Sequence, residues 1–208
     1  MTLKQYLFSD DLSTESCVLR CESANGTFNV KLDATLFHPQ GGGQPSDIGC
    51  IGEAIVLKVI QDDSGIIHII DRAVTVGKTR IKVDSASRLF NSRMHSAGHL
   101  IGVVGEQAGW KALKAIHRPG EGRIVFESMP GGTLLSASEF SDQVNKLISD
   151  DLQRRQFNEG ESRMVTWGAL PAYACGGTHV NSTRDIGSVA VTAVKLKKNQ
   201  LSVAYDIN

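Results

Sequence analysis

The stretch DSASRLFNSRMHSAGHLIGVVG, residues 84–105, divides the chain into two kinds of sequence. Within it Leu89, Met94, Ala97, Leu100, Ile101 and Val104 supply helical neighbours, so a long helix is expected to begin near Asp84 and to end around Gly105 to Gly109. Ahead of it the period is two. Phe28, Val30 and Leu32 alternate with Asn29, Lys31 and Asp33, the mark of a half-buried strand. The runs Ile55–Ile60 and Ile66–Ile70 flank the turn-forming segment Asp62-Asp63-Ser64-Gly65, which predicts a meander of antiparallel strands or a small barrel.

Beyond the helix, strand and helix signals mix. Ile124-Val125-Phe126 follows the Gly/Pro-rich stretch at Pro119–Gly122 and reads as a strand. Ser136-Ala137-Ser138-Glu139 has the spacing of a capping box and opens a second helix, expected to run roughly to Phe157. Val165–Trp167, the alternating Val189, Val191 and Ala193, and Leu201-Ser202-Val203 return to strand character. The expected fold class is α+β: a small N-terminal β-barrel-like domain over residues 1–84, carrying a glycine-rich loop, then an α+β domain over residues 85–208.

Apolar residues at 41% and charged residues at 21% describe a soluble globular chain with no fibrous or disordered tract. Its 22 basic residues balance 22 acidic ones, which argues against nonspecific electrostatic adhesion to nucleic acid and leaves room for a local basic surface. Lys195, Lys197 and Lys198 cluster late in the chain, and Arg88, Arg93, Arg118 and Arg123 surround its centre; they either approach phosphates or form an ordinary solvated surface. No apolar run approaches the roughly 20 residues of a membrane span, and the opening MTLKQYLFSDDLSTES has acids where a signal peptide needs an apolar stretch. A cytoplasmic protein with no membrane contact is expected. Cysteines 17, 21, 50 and 175 are too few and too unevenly spaced for a disulfide framework, and read as free thiols or metal ligands.

Two short motifs carry chemistry. His95 and His99 lie four residues apart, one above the other on one helix face. Far downstream, Cys175-Gly176-Gly177-Thr178-His179 offers a thiolate and an imidazole around a glycine pair that can take a tight turn. Each pair alone is a weak pattern; together they form an N/S donor set suited to zinc, either catalytic or merely fastening the two segments. Ser96 stands where a zinc protease needs its glutamate, which argues against that class. His38, His68 and His117 have no comparable partners and read as surface or hydrogen-bonded structural histidines, and Cys17 and Cys21, despite i,i+4 spacing, as packing residues. The loop Phe37–Asp47 contains Gly41-Gly42-Gly43, which permits close approach to a ligand; it lacks both GK[ST] and GxGxxG, so no nucleotide cofactor is expected.

HPQGGGQPSDIG at 38–49, RMHSAGHLIG at 93–102 and CGGTHV at 175–180 occur in the order found in alanyl-tRNA synthetase editing domains, and the chain resembles the free-standing AlaX-type editing proteins from about residue 25 to residue 208. The resemblance implies a small β domain packed on an editing domain related to the threonyl/alanyl-tRNA synthetase second additional domain. It implies zinc on His95, His99, Cys175 and His179, a glycine loop (Gly41, Gly42, Gly43) bordering the substrate, Gln44 at a position tied to activity, and Thr35 placed to recognise a serine hydroxyl. His38 departs from it, since the family usually has tyrosine there. No aminoacylation domain precedes the editing-like part, which implies an editor acting in trans on tRNA(Ala) mischarged with serine, with glycine as a second candidate. Such an editor answers a physical limit: a pocket sized for alanine cannot strongly reject serine or glycine. Two other classes remain open at this point: a zinc-containing tRNA-binding module without catalysis, and a deacylase of another aminoacyl-tRNA. The oligomeric state is left open.

Overall fold

Eight strands precede the long helix in the computed structural model, which describes residues 2–208: β1 (Leu3–Lys4), β2 (Ser13–Ala24), β3 (Thr27–Leu32), β4 (Ala34–Thr35), β5 (Gly49–Ile51), β6 (Ala54–Asp62), β7 (Gly65–Ile70) and β8 (Gly77–Val83). Six of them pair antiparallel in the order β2-β3-β7-β6-β5-β8, and β8 pairs back onto β2, so the ladder closes into a barrel with no free edge. Alternation sends Val18, Val30, Leu32, Ile51, Val56, Ile66, Ile70 and Ile81 into the interior, all at most 2% exposed. Each such side chain contributes roughly 1.5–3 kcal/mol of burial. The expected meander is present at β5-β6-β7, and in the β6–β7 turn Asp62 Oδ1 accepts the Ser64 backbone N–H at 2.8 Å and hydroxyl at 2.6 Å. Closure depends on the non-local pairings β3–β7 and β5–β8, which no local signal encodes. Cys17 and Cys21 have helical spacing but lie on the strand β2.

Helix α1 (Ser85–Gln107) starts where expected, with Asp84 Oδ1 accepting the Ser87 N–H at 2.8 Å as a cap. The chain divides into two units, one of residues up to Gly41 with Pro45–Phe90, the other of Gly42–Gln44 with Asn91–Asn208. The division thus falls inside α1 rather than at residue 84, and the tip of the glycine loop counts with the second unit.

In the second unit follow β9 (Trp110–Ile116), β10 (Arg123–Ser128), α2 (Ala137–Ser149), β11 (Arg154–Glu159), β12 (Ser162–Trp167), β13 (Tyr173–Ala174), β14 (Val189–Lys197) and β15 (Gln200–Ile207). They build an antiparallel sheet in the order β14-β15-β10-β9 and a small sheet β11-β12-β13, so this unit is α+β. Phe126, Leu201, Val203 and Tyr205 line the buried face of the larger sheet, and Tyr205 donates its hydroxyl to Met94 O of α1 at 3.0 Å. The capping box at Ser136 and Glu139 is present, and Phe140, Val144 and Ile148 bury one face of α2.

The second helix is shorter than the sequence suggests, ending at Ser149 rather than near Phe157. Thr183 captures the chain there: its Oγ1 accepts the Leu152 N–H at 2.9 Å and donates to Leu147 O at 2.8 Å. Asp151 turns with φ 53°, and Arg154 to Glu159 then pair with β12. Tertiary pairing overrides the helix-forming character of Arg154, Arg155 and Gln156. Among the described residues no helix is long and apolar enough to cross a membrane.

Candidate metal centre

His95 and His99 lie one turn apart on α1, and β13 leads directly into Cys175 of the Cys175–His179 loop. The four side chains His95, His99, Cys175 and His179 meet, with ligand atoms all within 4.8 Å of one another. His179 Nε2 lies 3.2 Å from His99 Nε2, and Cys175 Sγ lies 3.4 Å from His95 Nε2 and 3.5 Å from His179 Nε2. Three imidazoles and a thiol thus come together in an arrangement that can hold a metal ion.

The loop is shaped by what surrounds it. Arg163 on β12 donates to Cys175 O at 2.8 Å and Gly177 O at 2.9 Å, and Arg154 on β11 donates to His179 O at 2.7 Å. A Cβ at Gly177 would stand 2.1 Å from His95 Cε1, so only glycine lets the loop pass against the ligand ring. At Gly176 nothing lies within 4 Å of such a Cβ.

Behind His95 sits Gln44. Its Oε1 lies 2.7 Å from His95 Nδ1 and accepts the Thr178 N–H at 3.1 Å, while its Nε2 donates to Thr178 Oγ1 at 2.9 Å. A carbonyl oxygen only accepts, so His95 carries its proton on Nδ1 and turns the Nε2 lone pair toward the cluster. Thr178 Oγ1 is also 2.8 Å from Ser92 Oγ. His179 is held differently: its Nδ1 is buried and has no hydrogen-bond partner among the described residues.

The electrostatics favour neutral imidazoles. Burial holds His99 down to about 4, with the Arg163 charge adding to it, and holds His179 well below its usual value, helped by His99 and Arg163. Burial pushes the Cys175 thiol up, while the Gly177 N–H and Arg163 pull it back. Neutral imidazoles are ligand-competent, and a cation at their centre would favour the thiolate.

The sequence-derived residues divide between the two units. Gln44 joins the metal cluster as a support of His95, and Gly43 secures it: a Cβ there would lie 2.4 Å from Ala115 O, and Gly43 O accepts the His117 N–H at 2.9 Å. Gly41 and Gly42 are exposed. Thr35 belongs to the first unit, fully buried, with Oγ1 2.8 Å from His68 Nε2 and accepting the Phe37 N–H at 3.1 Å. His68 Nδ1 lies 3.2 Å from Val30 O and so carries the proton; Thr35 then donates to His68, and one Thr35 lone pair remains. His117, read from the sequence as a surface or hydrogen-bonded structural histidine, is buried and hydrogen-bonded, and stacks on His95 at 4.3 Å between ring centroids. Tyr205 gives its hydrogen to Met94 O, so His117 Nδ1 donates to the Tyr205 oxygen at 2.7 Å; burial, then the neighbouring His99, hold His117 down to about 3. No spacing in the sequence ties His117, Arg154 or Arg163 to the cluster.

Residues 162–203, which include Cys175 and His179, match the family model of the threonyl and alanyl tRNA synthetase second additional domain. The alanyl-tRNA editing protein AlaX-M of Pyrococcus horikoshii is 27% identical over 181 residues, covering 83% of this chain and 81% of the relative. Over most of its length the chain is similar to alanyl-tRNA editing proteins. Another of these, Aarsd1 of Danio rerio, is 28% identical over 92% of the chain and 55% of its own length. An alanine–tRNA ligase of Halorubrum lacusprofundi is 33% identical over 89% of the chain and 23% of the ligase. The chain therefore spans about half of this Aarsd1 and about a quarter of the ligase, and is similar to the editing proteins over most of its own length.

Proposed function

We propose that the chain is a zinc-dependent aminoacyl-tRNA deacylase that hydrolyses the ester between serine and the terminal ribose of tRNA(Ala), with Gly-tRNA(Ala) as a second substrate. The observation that carries this is the His95, His99, Cys175 and His179 cluster in a chain related to alanyl-tRNA editing proteins. Donor spacings support zinc. A tetrahedral zinc with nitrogen at about 2.0–2.1 Å and sulfur at about 2.3 Å needs about 3.4 Å between nitrogens and about 3.6 Å between sulfur and nitrogen. Three of the six donor spacings, 3.2, 3.4 and 3.5 Å, lie close to those values, and all six are within 4.8 Å.

Bound zinc would supply a positive charge that orients the aminoacyl group and stabilises charge developing on the ester. The chain's own residues do the rest. Gln44 fixes the His95 tautomer and acts as a positioning residue, held in turn by Thr178 and Ser92. Thr35 offers its remaining lone pair to a serine hydroxyl; alanine would leave that acceptor unpaired, a difference of about 1–3 kcal/mol. Gly41 and Gly42 border the substrate as a side-chain-free rim, and solvent supplies the nucleophile. A protein that acts on charged tRNA would work in the cytoplasm.

A second reading rests on the donor count, since four protein ligands leave no open position and suit a purely structural zinc in a tRNA-binding module. Deacylation assays with Ser-, Gly- and Ala-charged tRNA(Ala) separate the two. The editing reading expects loss of serine, slower loss of glycine and retention of alanine; full zinc occupancy with no hydrolysis of any of the three would replace it with the binding module.

A further inference from the structure

The outer face of the β14-β15-β10-β9 sheet carries a groove of about 720 Å³. Five of its lining residues are cations, Lys114, Arg123, Lys195, Lys197 and Lys198, and none is an acid. Strand register puts them on one surface: Lys114, Val125, Ser202 and Lys195 stand in a row across all four strands. Arg123 lies opposite Ile116, and Lys197 opposite Gln200. Directly paired residues share a face, so the row spans three strand spacings, roughly 14 Å. All five cations are exposed, and among the described residues none forms a salt bridge. The neighbouring Lys111–Glu127 pair, at 3.0 Å, cancels its own charge.

In a chain of zero net charge, five unpaired cations around one groove make a local positive field. We propose that this groove docks the phosphodiester backbone of an RNA, the tRNA whose ester is cleaved at the metal cluster. The inference rests on the deacylase reading for the identity of that RNA. The row is too wide for a single phosphate and suits a repeated anion. No aromatic ring lines it, so bases have nothing to stack on and the contact is to the backbone, sequence-independent and orienting. Strand β9 connects the groove to the cluster: it carries Lys114 and ends beside His117, which stacks on His95. Lys114 and Ile116 face outward while His117 turns to the core, so the RNA held here is a part remote from the reacting end. Of the central arginines that either approach phosphates or form a solvated surface, Arg88 and Arg93 are engaged elsewhere, Arg88 with Asp47 and Arg93 with Ile186 O and Asn208 O.

The test uses the full chain and the variant Arg123→Ala/Lys195→Ala/Lys197→Ala, with Lys198 left intact because its φ of 56° holds the β14–β15 turn. Binding of uncharged tRNA(Ala) is followed by fluorescence anisotropy across a salt series, and hydrolysis is measured separately on the 3′-seryl ester of adenosine. The variant is expected to bind at least about 10-fold more weakly with a salt slope shallower by about 2–3, while turnover of the short ester is unchanged. A charge-reversed Lys195→Glu/Lys197→Glu variant should bind more weakly still. Wild-type affinity and slope in the triple variant would overturn the groove and leave the deacylase intact. Groove-dependent tRNA binding with no hydrolysis of either seryl-tRNA(Ala) or the 3′-seryl ester of adenosine would do the reverse. Wild-type protein that ignores tRNA but binds phosphatidylserine vesicles would assign the groove to a membrane and end the proposal.

Discussion

Gln44 Oε1 lies 2.7 Å from His95 Nδ1 and also takes the backbone N–H of Thr178, so one buried amide ties one of the two helix ligands to the loop that carries Cys175 and His179. Removing it as Gln44→Ala leaves His95 free to change tautomer and orientation. Zinc affinity, read by competition with a chromophoric chelator, is expected to fall about 10- to 100-fold. Gln44→Glu keeps the acceptor and should restore most of the loss. Equal affinity in all three proteins would remove Gln44 from the support of the metal.

The two glycines of the loop give a sharp contrast. Gly177→Ala drives a methyl group to within 2.1 Å of His95 Cε1, whereas Gly176→Ala meets nothing. The first variant should lose metal while remaining folded by circular dichroism, and the second should keep it. Identical zinc content in both would contradict the close approach of loop and ligand.

His68 gives the barrel a pH dependence. Burial lowers its pKa to about 4 from the ordinary 6.5, so the unfolded chain takes up a proton that the folded one refuses. Stability is complete above about pH 6.5, declines as pH falls toward 4, and is about 3 kcal/mol lower below that. Unfolding free energies from urea titrations at pH 7 and pH 5 should therefore separate by about 2 kcal/mol more in the wild type than in His68→Asn. No difference between the two proteins would place His68 in solvent.

Arg88 and Asp47 form a buried ion pair, with the guanidinium also donating to Leu36 O at 2.6 Å and the carboxylate accepting the His38 N–H at 2.6 Å. Arg88→Met strands a buried carboxylate and should destabilise the first unit by about 3–5 kcal/mol in urea. Adding Asp47→Asn, which removes the charge, should recover part of that loss. A single variant as stable as the wild type would mean the pair is solvated.

Much of this was legible in the sequence because it is local. The α1 start, the Ser136 capping box and the alternation at Val30 each follow from residues a few positions apart, and His95 and His99 share a face by helical period alone. Joining them to Cys175 and His179 needed two motifs read together. What escaped is long-range. Barrel closure through β5–β8 has no local signature, α2 stops where it does because Thr183 reaches it from more than thirty residues away, and His117 meets His95 only through sheet geometry. The basic groove was half visible: Lys195 and Lys197 are neighbours in the chain, but Lys114 joins them only across β15 and β10.

The central claim is that three imidazoles and one thiolate from two distant segments share a single zinc. Zinc-edge X-ray absorption on the zinc-loaded chain measures that directly. The expected spectrum fits one metal per chain with three nitrogen neighbours at about 2.0–2.1 Å and one sulfur at about 2.3 Å, the sulfur shell vanishing in Cys175→Ser. A fit without sulfur in the wild type, or a chain that retains no zinc, would contradict it.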